Sequence, residues 1–269
     1  VTDVVEGPAV ARTLAAGSGS ISYFRSGSGH PLLFLHAAGG AGMWGPFHER
    51  LSGSADVIAP DHPGWGGSDD LPELRGVDDL VYHYLDVLDR LELDRVDLVG
   101  ASFGGWLAAE LAVHSPERFR SLVLLGPVGL RIPGHLVADL FLMTPPQLIA
   151  ALYHDPALVE QILSVAPETD QIIATYRELG SLARFGWRPF LNNPRLESRL
   201  HRISMPTRVI AAGEDRIVPR VHCERYAAGI PDAELVVVDD CGHALYGERP
   251  DAVADAVSTF LTERAGGRS

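Results

Sequence analysis

Cysteine is nearly missing from this chain, with only Cys223 and Cys241 among 269 residues. Two are too few for a disulfide framework and suit a reducing compartment, so the expected location is cytoplasmic. Positive charge is also short. Lys+Arg 22 against Asp+Glu 35 leave a formal charge of −13, which disfavours nucleic acid and anionic membrane surfaces as partners. No run approaches the ~18 consecutive apolar residues of a membrane span. The first residues lack the charged and apolar regions of a signal peptide, and there is no internal repeat or low-complexity stretch. What is left is ordinary globular composition, 46% hydrophobic and 21% charged. The length suits one large α/β domain, or a core with an inserted subdomain.

The most informative stretch is Gly100-Ala101-Ser102-Phe103-Gly104. Gly-x-Ser-x-Gly also occurs in flexible loops, so its flanks decide. Residues 95–99 form an apolar run expected to be a buried strand, and 106–113 carry a helical pattern through Leu107, Ala108 and Leu111. A serine on so sharp a strand-to-helix turn sits on a strained backbone, with glycines where a side chain would collide. The helix that follows points its N-terminal amides at any negative charge forming nearby.

Other apolar runs end in loops of the same kind. Residues 31–35 lead into His36-Ala37-Ala38-Gly39-Gly40, where small residues let the backbone approach a ligand. Residues 56–60 lead into Asp61-His62-Pro63-Gly64-Trp65-Gly66-Gly67-Ser68. Residues 205–213 precede Glu214-Asp215, and 235–238 precede Asp239-Asp240-Cys241-Gly242-His243. The opening strands are expected at 10–14 and 21–24. Leu80, Tyr84, Leu88 and Leu91 repeat at helical spacing, and a last helix is expected at about 250–263.

With these landmarks in this order, the chain resembles the α/β-hydrolase fold family over roughly residues 31–250. The resemblance implies a mostly parallel twisted sheet with helices on both faces, from 1–127 and 205–269. It also implies an inserted helical cap over 128–204, where strand signals stop and runs at 145–153, 156–165 and 168–185 read as helices. The family order Ser…Asp…His makes Ser102 the nucleophile, Asp215 rather than its neighbour Glu214 the acid, and His243 the base. One departure is visible: Ala37 stands where the family has a glycine, which removes no backbone N–H.

The oxyanion-binding amides are expected from Ala38 and Phe103, with His36 bracing the loop. His62, His114 and Asp61 are read as structural, and Asp239 and Asp240 as solvated. In the cap, Met143, Leu148, Trp187 and Arg188 are the candidate substrate contacts, and Arg184 is a further possible carboxylate partner. No cofactor and no metal are required. The expected activity is hydrolysis of carboxylic esters of small to medium apolar acids through an acyl-enzyme on Ser102. The alternatives are a C–C bond hydrolase acting on a vinylogous diketone (meta-cleavage) acid, and a hydrolase-like ligand-binding protein or receptor. Dehalogenases and epoxide hydrolases of this fold need an Asp nucleophile, which Ser102 argues against. The oligomeric state is not readable from the sequence.

Overall fold

Each central strand alternates its side chains between two apolar layers, and that alternation builds the molecule. A computed structural model describes residues 5–266. In β3 (His30–Leu35), Leu33 and Leu35 enter one core while Leu32 and Phe34 enter the other. The same division runs through β5 (Val96–Ala101), β6 (Phe119–Leu125) and β7 (Thr207–Ala212). Strands buried on both faces need helices on both faces, which is why these runs are apolar throughout.

With β1 (Val5–Ala16), β2 (Gly19–Gly27), β4 (Ala55–Pro60) and β8 (Ala233–Val238), they form one eight-stranded sheet. Its order is β1-β2-β4-β3-β5-β6-β7-β8. The β1–β2 and β2–β4 pairs are antiparallel and the remaining pairs are parallel. The fold class expected from the sequence is the one observed.

Helices α1 (Pro46–Ser52) and α9 (Pro250–Gly266) cover one face, and the Arg50 Nε–Asp255 Oδ1 bond at 2.6 Å links them. On the other face lie α2 (Val77–Arg90), α3 (Phe103–His114) and, after the later insertion, α7 (Val221–Gly229). Residues 103–113 of α3 are all buried. A helix apolar on every side is interior, and burying each Leu or Phe in it contributes about 1.5–3 kcal/mol.

Between β6 and β7 the chain leaves the sheet. It forms a 3₁₀ turn (Leu140–Leu142), then α4 (Pro145–Leu152), α5 (Pro156–Leu163), α6 (Thr169–Gly186) and a second 3₁₀ turn (Glu197–Arg202). Local chemistry starts these helices. Prolines occupy the first position of α4 and α5, where a missing N–H costs nothing. Asp155 accepts from the Ala157 amide at 2.9 Å, and Gln147 accepts from the Thr144 amide at 2.8 Å. The short α8 (Leu245–Glu248) follows the loop after β8.

Candidate active site

The sharp turn after β5 holds Ser102 at φ 50, a left-handed value for a residue with a side chain. Neighbouring backbone enforces it. The Ser102 amide donates to Leu125 O at 2.8 Å, and its carbonyl accepts from Trp106 N at 3.0 Å and Val128 N at 3.2 Å. A Cβ at Gly104 would collide with the carbonyl oxygens of Leu35 and His36, and one at Gly100 with the carbonyl of Gly104. Only glycine lets α3 start this close to β3.

Three loops at the C-terminal ends of parallel strands, where open sheets place their sites, bring Ser102, His243 and Asp215 together. His243 Nε2 lies 2.8 Å from Ser102 Oγ, and His243 Nδ1 lies 2.8 Å from Asp215 Oδ2. The second carboxylate oxygen, Oδ1, accepts the amides of Ile217 at 2.9 Å and Val218 at 2.8 Å. With both oxygens committed and both side chains nearly closed to solvent, Asp215 has one orientation, and it takes Nδ1–H of His243. Nε2 is then the acceptor facing Ser102.

The loop after β3 is held by a buried network. His36 Nδ1 is 2.6 Å from Ala37 O, and His36 Nε2 accepts the His62 amide at 2.9 Å. Trp65 Nε1 donates to Ala38 O at 2.8 Å. Asp61 accepts Gly42 N on Oδ1 at 2.5 Å and Gly67 N on Oδ2 at 2.8 Å. Burial lowers both imidazoles, His62 well below the ordinary value, so neither carries charge at neutral pH. Phe103 is the first residue of α3, where an amide has no intrahelical acceptor. Ala38 lines the cavity, and the Ala37 amide is engaged by the Tyr246 phenol oxygen. Burial nevertheless pushes that phenol up to about 12.

A cavity of about 180 Å³ opens on Ser102 and His243. Its wall is mostly apolar: Ala101 and Leu125 from the sheet, Met43 from the loop, and Leu140, Leu148 and Leu152 from the insertion. Helix α6 presents Thr175, Glu178, Leu179 and Leu182, the i, i+3, i+4, i+7 spacing of a single helix face. Desolvation raises the Glu178 carboxyl, opposed by a hydrogen bond from the Gly66 amide. The chain has no lysine, and no arginine is among the residues lining this cavity.

Of the four cap candidates, the structure brings Leu148 to the cavity and leaves the other three off its lining. Met143 packs half-buried against the core. Trp187 stands edge-on to Phe141, ring centroids 5.1 Å apart, and is 49% exposed. Arg188 follows it beyond the end of α6, exposed to solvent. Arg184 is committed to Asp70 at 2.5 Å and to the Leu71 carbonyl.

Sequence reasoning gave no role at the site to Glu178, Tyr153, Tyr246, Tyr84, Trp65 or Glu248. The helical spacing on α6 was the available signal for Glu178. The others depend on partners far along the chain, as Glu248 does on His154.

The alpha/beta hydrolase family matches residues 32–256. The chain is 32% identical over 278 residues to the 2-hydroxymuconate semialdehyde hydrolase of Pseudomonas putida, covering 96% of each. It is 30% identical over 267 residues to the poly(3-hydroxyalkanoate) depolymerase of Ectopseudomonas oleovorans, covering 95% of this chain and 94% of that one. A solved structure of a meta-cleavage product hydrolase from Pseudomonas fluorescens IP01 is similar with a TM-score of 0.77 and 26% identity. That match covers 94% of this chain and 97% of the other.

Proposed function

The chain belongs to the alpha/beta hydrolase family, and from that premise we propose that it hydrolyses a small carbonyl substrate through Ser102, breaking the carbon–carbon bond of a vinylogous diketone acid. The observation that carries the reading is the array of Ser102, His243 and Asp215, closed by two 2.8 Å contacts on the floor of an apolar cavity. The choice of bond rests on relatives named 2-hydroxymuconate semialdehyde hydrolase, 32% identical, and meta-cleavage product hydrolase, 26% identical, over 96% and 94% of the chain. The segment 128–204 acts as the cap, with Leu140, Leu148 and Leu152 shaping the acyl side.

A serine hydroxyl is a weak nucleophile at neutral pH, so His243 Nε2 takes its proton as Oγ attacks the carbonyl. The oxyanion is met by the amides of Ala38 and Phe103. Asp215 holds the imidazole tautomer and stabilises the imidazolium. Collapse of the tetrahedral intermediate breaks the bond to carbon. The electron pair leaves as an enolate delocalised into the conjugated carbonyl, and His243 returns the proton to it. Water, deprotonated in turn by His243, then releases the acyl group from Ser102 as an acid.

The cavity wall favours a second reading, hydrolysis of an uncharged carboxylic ester. An acid substrate brings a carboxylate into a cavity lined by Glu178 and by no arginine, and a buried anion without a partner is costly. A depolymerase among the relatives supports the same reading.

One assay separates them: a 2-hydroxy-6-oxo-dienoic acid beside a chain-length series of p-nitrophenyl esters, each also with Ser102→Ala. The dienoic acid is expected to exceed the best ester by about tenfold or more in kcat/KM, with Ser102→Ala inactive on both. The reverse ranking moves the assignment to the ester. Tight binding of either without turnover by the unmodified protein would make it a ligand-binding relative rather than an enzyme.

A further inference from the structure

Outside the array itself, the interior holds a fully hydrogen-bonded histidine pair with a tyrosine behind it. The rings of His36 and His62 are in contact, centroids 3.9 Å apart and planes tilted by 39°. Their protons can be placed from obligate partners. The His62 backbone N–H can only donate, so His36 Nε2 accepts it at 2.9 Å and carries no hydrogen. His36 Nδ1 therefore holds the proton and donates to Ala37 O at 2.6 Å. The His36 carbonyl can only accept, so His62 Nε2 carries its ring hydrogen and donates across 2.9 Å. His62 Nδ1 is left bare, and the Tyr84 hydroxyl donates to it at 2.6 Å. Every ring nitrogen has one partner, and the set is consistent with one assignment only.

We propose that His62 and Tyr84 form a positioning pair that aims the Ala38 amide at the oxyanion: the His62 backbone amide fixes His36 as its Nδ1–H tautomer, and the Tyr84 hydroxyl fixes the His62 ring that holds the His36 carbonyl. The geometry follows from the planarity of one peptide. The Ala37 carbonyl and the Ala38 N–H belong to the same trans unit and point in opposite directions. Pinning the carbonyl to His36 Nδ1 turns the N–H the other way. The next unit is pinned separately, by Trp65 Nε1 on the Ala38 carbonyl.

The pair also touches the second oxyanion donor. The His62 ring stands edge-on to Phe103 at 5.5 Å, and Trp65 stacks on Phe103 at 5.7 Å. Tyr84 sits on α2, on the far side of this cluster, fully enclosed. A phenol on an outer helix thus reaches the oxyanion loop through two imidazoles, touching neither substrate nor nucleophile. Burial lowers both imidazoles and raises the Tyr84 hydroxyl, which keeps all three neutral and the donor order intact.

The role rests on the proposed acyl transfer at Ser102, and the test keeps the two apart. Tyr84→Phe removes one oxygen and leaves His62 Nδ1 without a donor. The expected result is a kcat about 10–100-fold lower with KM within about twofold, a fraction of the loss seen when a whole oxyanion donor is removed. Affinity for a trifluoromethyl ketone, which forms an oxyanion with the nucleophile, should fall by the same factor. Affinity for the product acid should not change.

In the unmodified protein, ¹⁵N NMR of the imidazoles should find His36 neutral with its proton on Nδ1 and His62 neutral with its proton on Nε2, and Tyr84→Phe should mix the tautomers of His62. An unchanged kcat in Tyr84→Phe beside an inactive Ser102→Ala would overturn the pair's role. So would an Nε2–H tautomer for His36 in the unmodified protein, or a loss shared equally by ketone and product acid. Full turnover by Ser102→Ala would instead remove the acyl transfer on which the role depends.

Discussion

At the scale of single residues, Ser102 is held by its own main chain and His243 by its neighbours. In the proposed reaction neither does anything alone, because a base without a nucleophile moves no useful proton. Their losses should therefore overlap: His243→Ala is expected to cost ~10⁴–10⁶ in kcat, and adding Ser102→Ala should cost little more. Asp215→Asn should be milder, since nucleophile and base both remain, although its amide facing Nδ1 favours the unproductive imidazole tautomer. Steady-state kinetics of the singles and the double check this, and multiplicative losses would mean that the residues act independently. That these three residues would meet was legible in the sequence because each follows an apolar run that ends in a recognisable loop. Arg188 was misleading for a related reason. Sequence shows that an arginine sits in the helical insertion, but not that α6 ends at Gly186 and turns the following residues outward.

At the scale of elements, the strands were legible because burial on both faces makes them continuously apolar. Helix positions were legible from proline, capping residues and spacing. The ties between elements were not, because they join backbone groups that carry no sequence signal. Glu248 on α8 is such a tie. Its Oε1 accepts the amides of His154 at 2.8 Å and Asp155 at 2.7 Å, and its Oε2 accepts Gly242 at 2.6 Å. The corner between α4 and α5 is thereby bound to the loop that carries His243, with Ala244 N on Leu152 O at 2.9 Å as a second strap. Glu248→Gln turns one acceptor into a donor facing the Gly242 amide. It should cost about 1–3 kcal/mol of stability and lower kcat, because the imidazole loses its anchor. Urea unfolding and kinetics on the same preparation check both. An unaltered kcat with reduced stability would confine Glu248 to holding the insertion.

Across the whole molecule, several imidazoles are stored neutral. Burial, reinforced by the nearby His36, lowers His48 to about 4, and burial lowers His83 to about 4; His36 and His62 are lowered as well. In the unfolded chain each binds a proton near 6.5, while in the folded protein it stays bare until far lower pH. The unfolded state thus holds more protons between those limits, so stability is full above about pH 6.5 and drains away as pH falls toward 4. At about 1.4 kcal/mol per unit of separation, His48 alone removes on the order of 3 kcal/mol by pH 4. Thermal melts from pH 7.5 to 4.5 should show a steady decline, and a flat Tm across that window would contradict it.

The supports of the site have one more trait in common. Asp215, Asp61, Glu248, His36 and Trp65 all fasten to backbone amides or carbonyls of the loops they hold. Main-chain groups survive substitution of the residues that carry them. The apolar part of the cavity wall, with Leu140, Leu148 and Leu179, is made instead of side chains that carry no such strut. Inheritance can therefore rewrite what such a protein accepts while leaving how it reacts untouched.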